Sequence, residues 1–364
     1  MRKVLILLTS PKMGGAEKVM INIANKLDRR KFEVTFFLFF KKGILFNTID
    51  PAVHVDYAYD MEYKSMAIAL PHILNKLAQY KNYDVVVAGT EIWPTYVAMM
   101  AHLLWGMKSI AWVHTNMRLI MRRYSPAKRF IFSCLNFLSY RLIDRIAAVS
   151  EACEMSRFIK REIKVIPNSY DEEKIREAAK EPVSDYDFSQ SPVILSVSRM
   201  NKVKNIGLLI KAHALLCKEG FRQRVLLIGD GEELNPLKLL AEQLGVSGTV
   251  TFLGQKDNPY PYFAKSDVYV SASFVEGFCL SGMEAMVFGM PIVSTSFPNA
   301  CASLVDNNKT GRVLVNNTVE ELAAAIKEIL LNSLNVGYAE NAKMRVKEFR
   351  EENILRQIEI FLAE

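Results

Sequence analysis

Long apolar runs are missing from this chain of 364 residues. Its most apolar window, Ile92 to Val113, is broken by Pro94, His102 and Lys108, short of the roughly 18 uninterrupted apolar residues of a spanning helix, so no transmembrane segment is expected. Cysteine is scarce: Cys134, Cys153, Cys217, Cys279 and Cys301 are odd in number, widely spaced and without a C-x-x-C pair. That pattern argues against a disulfide framework and a structural zinc site, and the expected compartment is the reducing cytoplasm. No G-x-G-x-x-G follows the first apolar run and no G-x-x-x-x-G-K-[ST] occurs, which disfavours simple dehydrogenase and P-loop chemistry; the G-x-S-x-G elbow of α/β-hydrolases is missing too.

What is present is ordinary for a large folded protein: 50% apolar and 23% charged residues, with 17 Gly and 13 Pro. At roughly 150 residues per domain the length suggests two domains. Met1-Arg2-Lys3 carries the charge of an export signal, but Val4 to Leu8 is too short for one and reads as a first strand. Charge is uneven. Residues 1–180 hold 28 Lys and Arg against 17 Asp and Glu, a net of +11, whereas the remainder has 18 against 22. A basic first half suggests an anionic partner: nucleic acid, a phosphorylated ligand or a membrane surface.

Short apolar runs alternate with stretches of helical period. Val4–Leu8, Glu33–Phe40, Asp84–Ala88, Ser109–Val113, Arg145–Val149 and Lys164–Ile166 read as strands, with helices over 16–27, 66–80, 94–105 and 126–142. A second series has strands at 193–197, 225–228, 250–253, 268–271 and 292–294, with helices over 205–219, 232–244, 282–289 and 319–331. Strand–helix alternation predicts an α/β protein of two doubly wound, Rossmann-like domains, with ligands beyond the carboxyl ends of the strands and a cleft between the facing sheets. The expected division is 1–180, a linker at 181–192, a second domain over 193–345, and a C-terminal helix at 346–364 able to pack back on the first domain.

Four segments carry chemistry. Gly14-Gly15 lies between the first strand and its helix, where a tight turn and a helix start suit an anion or serve as a plain connection. Arg199 and Lys204 flank the turn after the second domain's first strand, and both can point at one diphosphate. Glu276 and Glu284 bracket the glycine-containing run Gly277-Phe278-Cys279-Leu280-Ser281-Gly282; carboxylates there can accept sugar hydroxyls beside a phosphate-binding helix start. Asp185-Tyr186-Asp187 has the look of a metal-holding carboxylate pair, but with no apolar strand before it a solvated linker is expected, and no metal.

Together these residues resemble the retaining glycosyltransferase family 4, of the two-domain GT-B architecture. The similarity runs through Gly14-Gly15-Ala16-Glu17, Val149-Ser150, Val165-Ile166-Pro167-Asn168, Arg199 to Lys204, Gly229-Asp230-Gly231, Phe252-Leu253-Gly254, Asn258-Pro259-Tyr260 and Ser266-Asp267-Val268, and is most diagnostic at the E-x7-E element Glu276 to Glu284. It implies that Arg199 and Lys204 hold the diphosphate of a nucleotide-sugar donor, Glu284 binds the ribose, and Glu276 contacts the donor sugar. It places Leu253 and Gly254 beside the nucleobase, and backbone amides of Phe278, Cys279, Leu280 and Ser281 at the phosphates. Gly14 and Gly15 would close over the diphosphate or the transferred sugar, and His114 would position a sugar hydroxyl or the acceptor. The implied reaction is retaining transfer without metal or cofactor, the departing phosphate's charge being met by Arg199 and Lys204. One departure stands out: within Pro298 to Val305, Ser303 takes the place of a Glu common in relatives, so the sugar cannot be copied from them.

On the acceptor side, Arg118, Arg122, Arg123, Lys128, Arg129, Arg141 and Arg145 interleave with Phe130, Ile131, Phe132, Leu135, Phe137, Leu138 and Tyr140. This describes either a helix half buried on its own sheet or one lying on anionic lipid at the inner membrane face, with a glycan or lipid-linked glycan as acceptor. Nucleic-acid motifs are missing, so that partner is not expected. Two further readings are a catalytically silent nucleotide-sugar-binding protein and a nucleotide-sugar epimerase of related fold.

Overall fold

The computed structural model describes residues 1–12, 14–63, 65–117, 121, 124–151, 153, 162–189, 192–297, 300–331 and 337–364. Pro298, Asn299, Arg118, Arg122 and Arg123, named above, lie outside them. Two compact units form: Met1–Asn168 with Glu352–Glu364, and Ser169–Glu351. The expected division at 181–192 is therefore corrected to 168/169.

Unit 1 holds a seven-stranded parallel sheet among the described residues, in the order β3-β2-β1-β4-β5-β6-β7. Its strands are β1 (Arg2–Leu8), β2 (Phe32–Phe40), β3 (His54–Tyr59), β4 (Val85–Ala88), β5 (Lys108–Val113), β6 (Arg145–Ala148) and β7 (Lys164–Val165). Near-continuous apolar runs such as β2 are what a sheet covered on both faces requires. Helices α1 (Gly15–Lys26), α2 (Met66–Leu77), α3 (Trp93–Trp105) and α4 (Pro126–Leu142) follow their strands. Strand β3 was not read from the sequence: His54-Val55-Asp56-Tyr57-Ala58-Tyr59 is an edge strand, mostly half-buried, and has no apolar run.

Helix α4 is half buried, and not all of its aromatic residues face inward. Phe132 packs inward against Tyr124, Tyr96 and Trp93. The side chains buried most deeply are Asn136, Ser139 and Tyr140, with the Tyr96 hydroxyl donating to Asn136 Oδ1 at 2.9 Å. Phe130, Ile131, Phe137 and Leu138 are instead 72%, 56%, 42% and 48% exposed.

Unit 2 begins with α5 (Glu172–Ala178) and then a six-stranded parallel sheet among the described residues, in the order β10-β9-β8-β11-β12-β13. Its strands are β8 (Val193–Val197), β9 (Arg224–Ile228), β10 (Val250–Gly254), β11 (Val268–Ser271), β12 (Ile292–Ser294) and β13 (Gly311–Val313). The helices are α6 (Ile206–Lys218), α7 (Leu234–Gln243), α8 (Tyr260–Phe263), α9 (Leu280–Val287), α10 (Ala300–Leu304), α11 (Val319–Leu331) and α12 (Gly337–Val346). Strand order reverses between β8 and β11, and in such sheets the crevice at that switch point takes the ligand.

The segment read as a solvated linker is docked on unit 2: Asp185 bonds Lys256 at 2.5 Å and the Tyr262 hydroxyl at 2.7 Å. Helix α13 (Glu351–Ala363) returns the chain to unit 1, where Phe361 stands edge-on to Trp112 with centroids 6.2 Å apart and Arg145 lies over its ring.

Candidate active site

In unit 2 the site is built from the loops at the carboxyl ends of β8 to β11. After β8 the chain runs Arg199-Met200-Asn201, then a helical turn over Lys202–Lys204. The Asn201 side chain accepts the Lys204 N–H at 3.2 Å, and Asn205, at φ 49°, takes the left-handed conformation that asparagine tolerates, starting α6. This turn is stitched to its neighbours by Met200 N–H to Asp230 O (2.8 Å) and Phe274 N–H to Val203 O (2.9 Å). Gly229 lets the next loop approach: a Cβ there would sit 2.0 Å from the Ser198 carbonyl oxygen. That gives Gly229-Asp230-Gly231 a physical role, allowing close packing against the turn that bears Arg199.

Lys204 and Glu276 meet. Lys204 Nζ donates to Glu276 Oε1 at 2.5 Å, the side chains being 22% and 13% exposed. The same oxygen accepts from Ser273 Oγ at 2.8 Å. Burial works against the Lys204 charge, but the Glu276 carboxylate outweighs it and holds the ammonium above its ordinary range. Two groups expected to contact different parts of a donor are thus in contact with each other. Arg199 is exposed on the same turn.

Helix α9 follows. Glu284 lies on its second turn, and its Oε1 accepts from the Tyr260 hydroxyl at 3.2 Å. Of the backbone groups expected to face phosphates, the Leu280 N–H is directed at the Phe278 carbonyl at 3.2 Å. The Ser281 hydroxyl pairs with that of Tyr269 at 2.7 Å; Phe278 stands edge-on to Phe349; Cys279 is buried. Leu253 and Gly254 close β10 half-buried, with Gly254 at φ 71° and its carbonyl accepting the Gly229 N–H at 2.8 Å. The Ser303 hydroxyl bonds back to the Ala300 carbonyl at 2.7 Å. No cluster of three metal-ligating side chains occurs among the described residues.

Unit 1 has its own set of candidate residues at the ends of β1, β4 and β5. Gly14 precedes α1 in an extended conformation (φ −139°), so the turn expected of it does not use positive φ. The Glu17 carboxylate occupies the space a Gly14 side chain would take, and Gly15 is exposed. His114 follows β5, its Nε2 buried and without a hydrogen-bond partner. Burial pulls the imidazole down to about 4, with a Gly89 backbone contact opposing, so it is neutral at pH 7. Beside it lies Glu91, which the sequence did not signal because a lone carboxylate after a strand has no pattern. Its Oε1 accepts the backbone N–H of His114 at 2.6 Å and of Thr115 at 2.9 Å. Burial pushes its carboxyl up to about 7, against backbone donors that lower it, with the Glu17 charge adding to the rise.

Comparison with known proteins fits this geometry. The whole chain superposes, with full coverage of both chains, on Anabaena HepE in complex with UDP-glucose, at a TM-score of 0.79 and 23% identity, which fixes the architecture as GT-B. The family model for glycosyl transferases group 1 matches residues 179–348, and that for Glycosyltransferase Family 4 matches residues 13–174. Between them they span nearly all of the chain, which belongs to the family 4, group 1 glycosyltransferases and is a glycosyltransferase enzyme. Among curated relatives, a Campylobacter jejuni GalNAc-alpha-(1->4)-GalNAc-alpha-(1->3)-diNAcBac-PP-undecaprenol alpha-1,4-N-acetyl-D-galactosaminyltransferase is 27% identical over 378 aligned positions, covering 100% of this chain and 99% of that one. The N-acetyl-alpha-D-glucosaminyl L-malate synthase of Bacillus anthracis is 25% identical over 366, covering 96% and 93%.

Proposed function

We propose that the chain transfers a sugar, with retention of anomeric configuration, from a nucleoside-diphosphate-sugar to a saccharide or lipid-linked saccharide acceptor in cell-surface glycan or polysaccharide synthesis. The observation that carries the reading is the joining of Lys204 and Glu276 at the β8/β11 switch point, with Glu284 on the helix that follows. Arg199 and Lys204 take the diphosphate, Glu284 the ribose and Glu276 the sugar, with Leu253 and Gly254 beside the base. As the bond to the sugar breaks, negative charge grows on the departing phosphate oxygen, and fixed cations already in place stabilise it without reorganisation. We assign that work to these side chains, so no metal is required. In this arrangement Lys204 shifts part of its hydrogen bonding from Glu276 to phosphate, which frees Glu276 to accept a sugar hydroxyl. Neutral His114 in unit 1 serves as a hydrogen-bonding partner for a substrate hydroxyl, and Gly14 and Gly15 offer backbone to the diphosphate or sugar.

The donor class is supported by HepE, which was crystallised with UDP-glucose, and the acceptor class by the undecaprenol-linked substrate in the name of the Campylobacter enzyme. The exposed stripe Phe130, Ile131, Phe137 and Leu138 on α4, with Arg141 stacked 4.3 Å from Phe137, supports peripheral contact with an anionic membrane surface. The test is nucleoside diphosphate release from uridine, guanosine and adenosine diphosphate sugars in chelator, with and without lipid-linked acceptor. Acceptor-dependent release in chelator is expected; binding without release would indicate a silent binding protein, product without acceptor an epimerase, and activity restored only by magnesium would remove the metal-free mechanism.

A further inference from the structure

We propose that Tyr260 is a positioning residue for donor recognition: its phenolic O–H holds the Glu284 carboxylate in the orientation that accepts the ribose hydroxyls. The inference rests on the reading of Glu284 as the ribose-binding group.

The placement of Tyr260 is fixed from the backbone outward. Asn258 Oδ1 accepts the Tyr260 N–H at 3.2 Å, while Asn258 Nδ2 donates to the Ala178 carbonyl at 2.7 Å, tying this turn to α5. Pro259 restricts the residue between them, and its carbonyl accepts the Tyr262 N–H at 3.1 Å. The ring is half-buried beside Phe263, at 6.5 Å between centroids, which leaves the hydroxyl 3.2 Å from Glu284 Oε1.

The chemistry suits a holding role. Burial, the Glu284 charge and the hydrogen bond to it all raise the phenol above its ordinary range, with Asp171 adding slightly, so Tyr260 stays protonated and is the donor. An ionised carboxylate has about four lone-pair sites, and the bond from Tyr260 takes one of them. A glutamate side chain turns about three bonds and loses that freedom on binding; a tyrosine that anchors one oxygen beforehand removes part of the cost. The Tyr260 ring packs without its hydroxyl, so the hydroxyl is the part with a recognition task.

The test compares UDP, GDP and ADP with their 2′-deoxy counterparts by calorimetry, following whichever the wild type binds most tightly, in wild type, Tyr260→Phe, Glu284→Ala and the double variant. Tyr260→Phe should weaken the ribonucleotide by about tenfold, weaken the 2′-deoxynucleotide, which keeps only the 3′-hydroxyl, by clearly less, and leave the melting temperature unchanged. In the Glu284→Ala background the same substitution should have no effect, since the oxygen it holds is gone. Equal weakening of both nucleotides by Tyr260→Phe, or no weakening of either, overturns the proposal while Glu284→Ala still abolishes ribose discrimination. Full discrimination retained in Glu284→Ala overturns the ribose reading itself and the proposal with it.

Discussion

Lys204 and Glu276 are both mostly buried, so removing one strands the other away from water, whereas Arg199 stands exposed on the same turn. Arg199→Ala and Lys204→Ala should each lower turnover at least about a hundredfold if both meet the leaving group's charge. Lys204→Ala should also lower the melting temperature, and by more than Arg199→Ala; product release and thermal melts together separate the two effects. Glu91 allows a test with a pH sign. Its carboxyl is raised from 4.5 to about 7, so the native state binds that proton more tightly than the unfolded chain. From pH 4.5 upward the group therefore subtracts stability as the pH rises, and the full cost is present above 7. Glu91→Gln lacks this titration. Its melting temperature should gain on wild type between pH 5 and pH 8, by up to about 3 kcal/mol in stability. His114, which loses stability in the opposite direction, is common to both proteins and cancels. A difference that is flat with pH would show that Glu91 is not raised.

Helix α9 packs so closely at its first turn that a methyl group would not fit. A Cβ on Gly282 would lie 2.9 Å from both Cys279 Sγ and Cys301 Sγ. Gly282→Ala should destabilise by about 1–3 kcal/mol, read from thermal melts, and Gly282→Ala with Cys301→Ala should recover part of the loss. This element also shows what could be read in advance. The E-x7-E spacing and the glycines placed Glu276, Glu284 and the helix between them, because strand ends and helix starts leave local residue patterns. Of the partners that orient these carboxylates, Tyr260 starts α8, far from the run in sequence, and Ser273, three residues before Glu276, is a lone serine that leaves no pattern. The alternation of β1, β2, β4 to β6, β8, β9, β11 and β12 was legible for the same reason: buried parallel strands are nearly all apolar. Of the edge strands, which need less apolar sequence, β7 and β10 still left a short apolar run, while β3 and β13 did not. On α4 the interleaved pattern was legible but its direction was not. A helix face rich in phenylalanine reads as core, yet here Asn136, Ser139 and Tyr140 are buried and Phe130 and Phe137 face outward.

At the scale of the whole molecule, that outward face coincides with the basic half of the chain. Among the described residues no helix is long and apolar enough to cross a membrane, so any membrane contact made by them is at the surface. Flotation with phosphatidylglycerol liposomes should show binding at low salt that weakens at high salt. Phe130→Ser with Phe137→Ser should reduce the salt-resistant part; no binding in either salt would remove the membrane reading.

The return of residues 352–364 to unit 1 bears on how the protein is made. Trp112 and Arg145 lie among the first half to leave the ribosome, yet their packing partner Phe361 is translated more than two hundred residues later. Unit 2, by contrast, is contiguous in sequence and can close as soon as it emerges. The half begun first is therefore completed second, and the nascent chain carries an exposed tryptophan pocket through the whole synthesis of its neighbour.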